Sequence, residues 1–277
     1  MAIERSFHTP GPLRLDLAVP AGEIDVETVD GEETTVFLDA DDERALEGAT
    51  VELRELGGGH ELVVEVERRR GILGGMINIS IGNVSLGNER FRLRVRAPHG
   101  PRLAVRSASA DLDARGRYAD ADVKTASGEI ELGAVDGDAA VKTASGDVSV
   151  AGVGGSLRVQ SVSGDVRAER IGGTLTAQLV SGDLAVGEVG AGATTKSVSG
   201  DQELTIVAGE ANLTSVSGDM RVGIRRGSRL YVDANSLSGD LDSEVELADA
   251  PHGDGGEGPL VELRAKTVSG DFRVVRA

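Results

Sequence analysis

A serine and an acid recur almost side by side nine times through the last two-thirds of this chain, as Ser-Gly-Asp or a close variant. The copies are Ser109-Ala110-Asp111, Ser127-Gly128-Glu129, Ser145-Gly146-Asp147, Ser163-Gly164-Asp165, Ser181-Gly182-Asp183, Ser199-Gly200-Asp201, Ser217-Gly218-Asp219, Ser238-Gly239-Asp240 and Ser269-Gly270-Asp271. A hydroxyl near a carboxylate suggests a nucleophile, and a row of carboxylates suggests a cation site. The repetition argues against the nucleophile, because an active site needs one asymmetric constellation and nine equivalent copies do not provide it. His8, His60, His99 and His252 are scattered, and none has a metal-ligand spacing to an acid or another histidine. There is no nucleophile elbow and no phosphate loop. The chain is therefore expected not to be an enzyme. The one catalytic arrangement left open is a β-helix face whose clustered carboxylates cleave acidic polysaccharides.

Two chemistries suit the acids if they stack. Each Asp can accept backbone N–H bonds at a chain corner. Alternatively, Asp147, Asp165, Asp183, Asp201 and Asp219 form a row of weak Ca²⁺ sites, each needing several oxygen ligands. The first is preferred. Calcium β-rolls also use two nonapeptides per coil, but in the pattern Gly-Gly-x-Gly-x-Asp-x-apolar-x, whereas this chain offers one dependable acid per coil. No resident metal or cofactor is expected.

The spacing shows what must position these groups. The first seven serines stand 18 residues apart, and the last two intervals are 21 and 31. A fixed period of this kind marks a repeat architecture in which each unit stacks on the next. Each 18 splits into two nines, as in 146–154 and 155–163, with small or apolar residues at the third, fifth and eighth places. Places three and five alternate as a strand does, while place eight breaks the parity, so a bend is expected at places six and seven. Val, Ile, Leu and Thr dominate these positions and favour strands. Glycine opens most of the nines, so the pairs Ser145-Gly146, Ser163-Gly164, Ser181-Gly182, Ser199-Gly200 and Ser217-Gly218 read as structural corners. Two residues before each corner serine lies a hydroxyl column, Thr143 and Ser161 among its members, broken at Leu179. It reads as a ladder supporting the stack.

The predicted fold is therefore all-β: a β-solenoid of about nine 18-residue coils over residues 101–277, behind a β-rich cap at 1–100. Strands are expected at 13–19, 35–38, 51–53, 62–66 and 91–95, and one or two helical turns at 41–47. The apolar stretch 71–82 is either a hairpin on the cap or an exposed loop that touches a partner or membrane. The Gly/Pro-rich run 248–259 is a loop inserted between coils. Nothing follows Asp271-Phe272 and the last few residues to cover the final coil, so either Phe272 shields that end or two molecules stack end to end there.

Composition excludes several functions. The net charge of −17 opposes binding to nucleic acid and to anionic membrane surfaces, and aromatics at 2% leave few base-stacking platforms. There is no cysteine, hence no disulfide or thiolate site. The first residues lack a basic stretch followed by an apolar one, and no segment is apolar enough to span a bilayer. As written, the chain is expected in the cytoplasm, with envelope association a further option.

The strings Thr-Ala-Ser-Gly-Asp and Ser-Val-Ser-Gly-Asp, with the opening segments 9–17 and 19–26, resemble the bacterial putative-adhesin repeat family, also called toast-rack-like, a domain of unknown function. The resemblance implies a single-stranded β-helix, right-handed, and a loose link to cell-envelope stress systems. It supplies no catalytic residues. The expected function is a non-enzymatic scaffold that binds an unidentified protein or envelope component. The alternatives are a self-assembling solenoid similar to bactofilins and a Ca²⁺-dependent surface adhesin.

Overall fold

The computed structural model describes residues 2–66, 89–244 and 259–277. The apolar stretch 71–82 and the insertion loop up to residue 258 lie outside the described residues.

Each coil contributes one strand to each of two parallel sheets that face one another across a thin core. In the first sheet Ala139–Ser145 pairs with Leu157–Ser163, which pairs with Thr174–Leu179. In the second, Val148–Val153 pairs with Val166–Ile171 and that with Leu184–Val189. The register is the sequence period itself: Val141 faces Val159, and Val148 faces Val166. A stack of this kind buries a strand's inward side chains against the opposite sheet and repeats them one coil above. Leu157, Val159, Val166 and Ala168 are buried accordingly, and Arg158 and Arg167 between them point out.

The two ends of the coil differ, which corrects the eighth-place rule. In the first nine the eighth residue does turn inward, and Val153, Ile171, Val189 and Val207 form a buried column at one corner. In the second nine the strand runs on to the corner serine without that bend. The seventh residue is inside (Thr143, Ser161, Leu179, Ser197, Ser215) and the eighth is outside, with Val162, Val180, Val198 and Val216 each about half exposed. The alternation of places three, five and seven therefore holds up to the glycine corner and keeps place eight outside.

The order of coils along the axis also departs from the order in sequence. Ala211–Thr214 pairs with Leu260–Ser269, and Leu260–Ser269 pairs with Arg229–Ser238. Met220–Ile224 likewise pairs with Phe272–Arg276, which pairs with Leu241–Ser243. The C-terminal coil is thus inserted beneath coil 229–243. The expectation of an uncovered C-terminal coil is wrong: Phe272 is buried in the interior of the stack, and the outermost coil is 229–243.

The N-terminal region is built the same way in reverse. Leu13–Val29 is a complete coil, paired along both halves with Arg102–Tyr118. Its other edge is covered by Gly59–Val66 and Phe91–Pro98, both parallel to it. Stacked coils therefore cross the boundary at residue 100. Antiparallel strands finish this end: Ala49–Leu56 on Gly59–Val66, Glu33–Ala40 on Phe91–Pro98, and Ile3–His8 on Glu33–Ala40. Such cover removes open strand edges that would template aggregation. The expected helical turns are a 3₁₀ segment, Glu43–Gly48, capped by the Asp42 side chain accepting from Arg44 N–H at 3.0 Å.

Candidate functional site

At each Ser-Gly-Asp corner a positive φ brings successive coils close. Gly164 has φ of 111°, and a Cβ there would collide with the carbonyl oxygen of Gly146. Glycine alone meets both demands. The hydroxyl two residues before the corner serine folds back and donates to that serine's carbonyl: Thr143 to Ser145 at 2.9 Å, Ser161 to Ser163 at 3.1 Å, Ser215 to Ser217 at 3.0 Å. In these coils the hydroxyl thus acts within the coil, satisfying the corner serine's carbonyl, whereas Ser236 donates to the Gly270 carbonyl of the neighbouring coil.

The acids bond between coils. The carboxylate of Asp147 accepts the backbone N–H of Asp165 (2.8 Å), Asp165 that of Asp183 (3.0 Å), Asp183 that of Asp201 (2.8 Å) and Asp201 that of Asp219 (2.8 Å). The ladder follows the spatial order of the coils, passing from Asp219 to Asp271 (2.9 Å) and from Asp271 to Asp240 (2.8 Å). For Asp165, the Asp183 N–H is the main cause that holds the carboxyl below the usual carboxylate range, with Arg167 adding through a 2.9 Å bond. One oxygen of each linking Asp is therefore committed to the backbone. Among the described residues no cluster of three or more His, Asp or Glu could hold a metal ion.

The corner serines 145, 163, 181, 199 and 217 form an outward column beside the valines. No histidine occurs between residues 100 and 251, so no imidazole lies within these coils to activate a hydroxyl. His99 Nδ1 lies 2.8 Å from Thr28 Oγ1, and His8 lies 3.9 Å from Glu32. His60 Nδ1 is buried without a partner among the described residues. His252 lies outside the described residues. The structure does not bring the three described histidines together with the serines of the repeat.

A concavity on the second sheet was not foreseen from the sequence. An open groove of about 700 Å³ crosses six coils on the outer face of the second sheet, or about 24 Å at the strand spacing. Ser149, Ala151, Ala185 and Gly187 keep its floor low, and Glu131, Glu169 and Glu203 line it with charge. Arg167 also borders the groove but is drawn toward the corner by Asp165. The available signal was the run of small residues at outward fourth and sixth places of the first nine. A second cleft of about 640 Å³ lies at the C-terminal end, where Asp219, Asp240 and Asp271 stand with Arg221 and Arg273. Among the described residues, no helix is long and apolar enough to cross a membrane.

Among curated proteins none matches the chain. A solved structure of a putative adhesin from Bacteroides fragilis NCTC 9343 is similar at 12% identity, covering 99% of this chain and 97% of that one, with a TM-score of 0.46. A putative adhesin from Parabacteroides distasonis ATCC 8503 is similar at 9% identity over 99% and 97%, with a TM-score of 0.41. A putative lipid binding protein from the same organism is similar at 12% identity over 100% and 96%, with a TM-score of 0.31. Identities and scores this low carry no function across. The family model is decisive instead: the Toastrack DUF4097 description matches residues 14–275, nearly the whole stack, and the chain belongs to that family.

Proposed function

We propose that the chain is a non-enzymatic binding scaffold of the cell envelope, and that the groove on its second sheet holds an extended segment of a protein partner or envelope component. The observation that carries this reading is the shape of the groove. It runs along the stack for six coils and has a floor of small side chains, so it suits a long thin ligand that touches many coils weakly. Its lining acids outnumber its arginines, which favours a polar or basic segment. The repeated corner supports the absence of catalysis, since its serines have no base and its carboxylates serve the backbone.

The test places a photo-cross-linking residue at Ala151 on the groove floor and, separately, at Arg158 on the opposite face, in cells that produce the protein. Capture of one defined partner from position 151, abolished by Ala185→Arg, is the expected result. Equal capture from both positions would refute the groove. Hydrolysis of a polysaccharide by the purified chain would refute the non-enzymatic reading.

A further inference from the structure

The groove has a second period that the coil repeat does not contain. Its floor is set by two outward columns, the fourth and sixth places of the first nine. At coil 128–145 they hold Glu131 and Gly133, at 146–163 Ser149 and Ala151, and at 164–181 Arg167 and Glu169. At 182–199 they hold Ala185 and Gly187, and at 200–217 Glu203 and Thr205. Strand pairing stacks the fourth places in one column from Glu131 to Glu203. Every second coil therefore carries one glutamate, and the coils between carry only small side chains. The acid-to-acid repeat along the axis is two coils, or about 9.6 Å. Glu169 stands in the sixth-place column, offset sideways from the other two by about 6.6 Å. Glu131 and Glu169 have no ion pair among the described residues, and Glu203 lies 3.7 Å from Arg221. Arg167, the one cation at these floor positions, is held by Asp165 at 2.9 Å. At the groove's first coil Asp113 is likewise paired, with Arg115 at 3.2 Å.

An occupant lying along the stack crosses the strands instead of joining them. Both edges of a strand such as Val148–Val153 are already paired, with Ile130–Val135 and Val166–Ile171. No backbone ladder is on offer, so the occupant's own N–H and C=O groups must face water on the open side. A polyproline II segment meets that condition, because it has no internal hydrogen bonds and a solvated backbone. It also meets the spacing: three residues per turn at 3.1 Å give about 9.3 Å, close to two coils. Side chains three apart share one face, so one per turn meets an acid, and the small-residue coils leave room for the residues between. A β-strand fails, because residues three apart point to opposite faces and the same-face spacings of about 6.6 and 13.2 Å both miss. An α-helix, about 10–12 Å across, is wider than a floor two columns broad.

We propose that the groove selects a basic polypeptide segment in the polyproline II conformation, with Lys or Arg at every third residue. This occupant presupposes the groove's role as a binding site and adds to it the ligand's charge and spacing. Three cations spanning about 19 Å of such a segment meet Glu131, Glu169 and Glu203. The flexible four-carbon stem of a lysine reaches across the sideways offset of Glu169. Over two turns the segment falls short of the coils by about 0.6 Å, which stems of this kind absorb. Exposed ion pairs are individually weak, so recognition lies in meeting all three acids at once.

Fluorescence anisotropy of two labelled nonapeptides against the full chain, at low salt, tests it. One is three repeats of Pro-Pro-Lys. The other, Pro-Pro-Lys-Pro-Lys-Pro-Lys-Pro-Pro, has the same composition with its lysines two apart. The regular peptide is expected to bind about tenfold more tightly than the permuted one, and added salt should weaken it because exposed charges are screened. Glu169→Gln should weaken the regular peptide about threefold. Ala185→Arg fills a small-residue coil and should abolish its binding; arginine already occupies that column one coil earlier, at Arg167. Unchanged circular dichroism of each variant establishes folding. Equal affinity for the two peptides, both lost in Ala185→Arg, would overturn the period while leaving the groove a binding site. Binding indifferent to Ala185→Arg would overturn the groove and the period together. No binding of the regular peptide at about 1 mM would overturn the proposal, and the cross-link from Ala151 would then decide the groove by itself.

Discussion

Val159 and Val162 are three residues apart in one strand and identical in chemistry, yet one is fully buried and the other half exposed. Replacing each with alanine removes the same two methyl groups, so the difference between the variants isolates position. At Val159 the loss of burial is about 1.6 kcal/mol at 0.8 per methyl, and the cavity left between Val141 and Ala177 on the neighbouring coils raises it to about 2–3 kcal/mol. At Val162 the methyls are half in water already, no cavity forms, and the cost is about 0.8 kcal/mol. With an m-value of about 5 kcal/mol/M, Val159→Ala lowers the guanidinium midpoint by about 0.5 M and Val162→Ala by about 0.2 M. The assay is unfolding followed by circular dichroism at 1 µM. Amide exchange of coils 139–153 and 174–189 gives a local readout should the stack unfold in segments. Equal costs for the two variants would refute the inward assignment at this corner. So would a larger cost at Val162.

Three other outcomes follow from the same geometry. Gly164→Ala is expected to cost about 1–3 kcal/mol, since it combines a positive φ with a backbone clash; an unchanged thermal midpoint would contradict the corner geometry. The depressed Asp165 carboxyl supplies stability that is fully present above the ordinary carboxylate range, near pH 4, and is lost as pH falls through its lower folded value. Urea midpoints should therefore drop as pH falls below about 4 in the parent protein and drop less in Asp165→Ala. Deleting residues 259–277 removes the coil beneath 229–243, so amide protection should vanish from 229–243; retention of protection there would refute the inserted order.

How much of this was legible depends on the kind of information each feature carries. The 18-residue register was readable because the stacking partner of Val141 is its own repeat, Val159, one period on. The glycine corners and the acid ladder were readable for the same reason. The coil Leu13–Val29 escaped notice because its corner is written Ala21-Gly22-Glu23, aligned in the structure with Ser109-Ala110-Asp111. Ile24 and Val26 after it, spaced like Val148 and Val150, were the signal that could have found it. The valine at place eight was misassigned because the bend that turns Val153 inward in the first nine was carried over to the second. There the strand runs on through Ser163, and plain alternation, with Leu157, Val159 and Ser161 inward, already leaves Val162 outside.

The sequence by itself determined the unit: two short strands, a glycine corner and an acid that satisfies the next coil, repeated until the stack is built. These are local relations, fixed by periodicity and by the need to pair backbone groups with an equivalent segment. Only the tertiary structure decided the order of units at the two ends and the face on which small side chains gather into a groove. Any coil of this chain offers nearly the same edge to any other, so local sequence cannot say that 260–276 lies beneath 229–243. Nor can it say that Leu13–Val29 lies between Arg102–Tyr118 and the capping strands. That choice is made by which edges remain open when the chain reaches its ends, a property of the assembled stack alone.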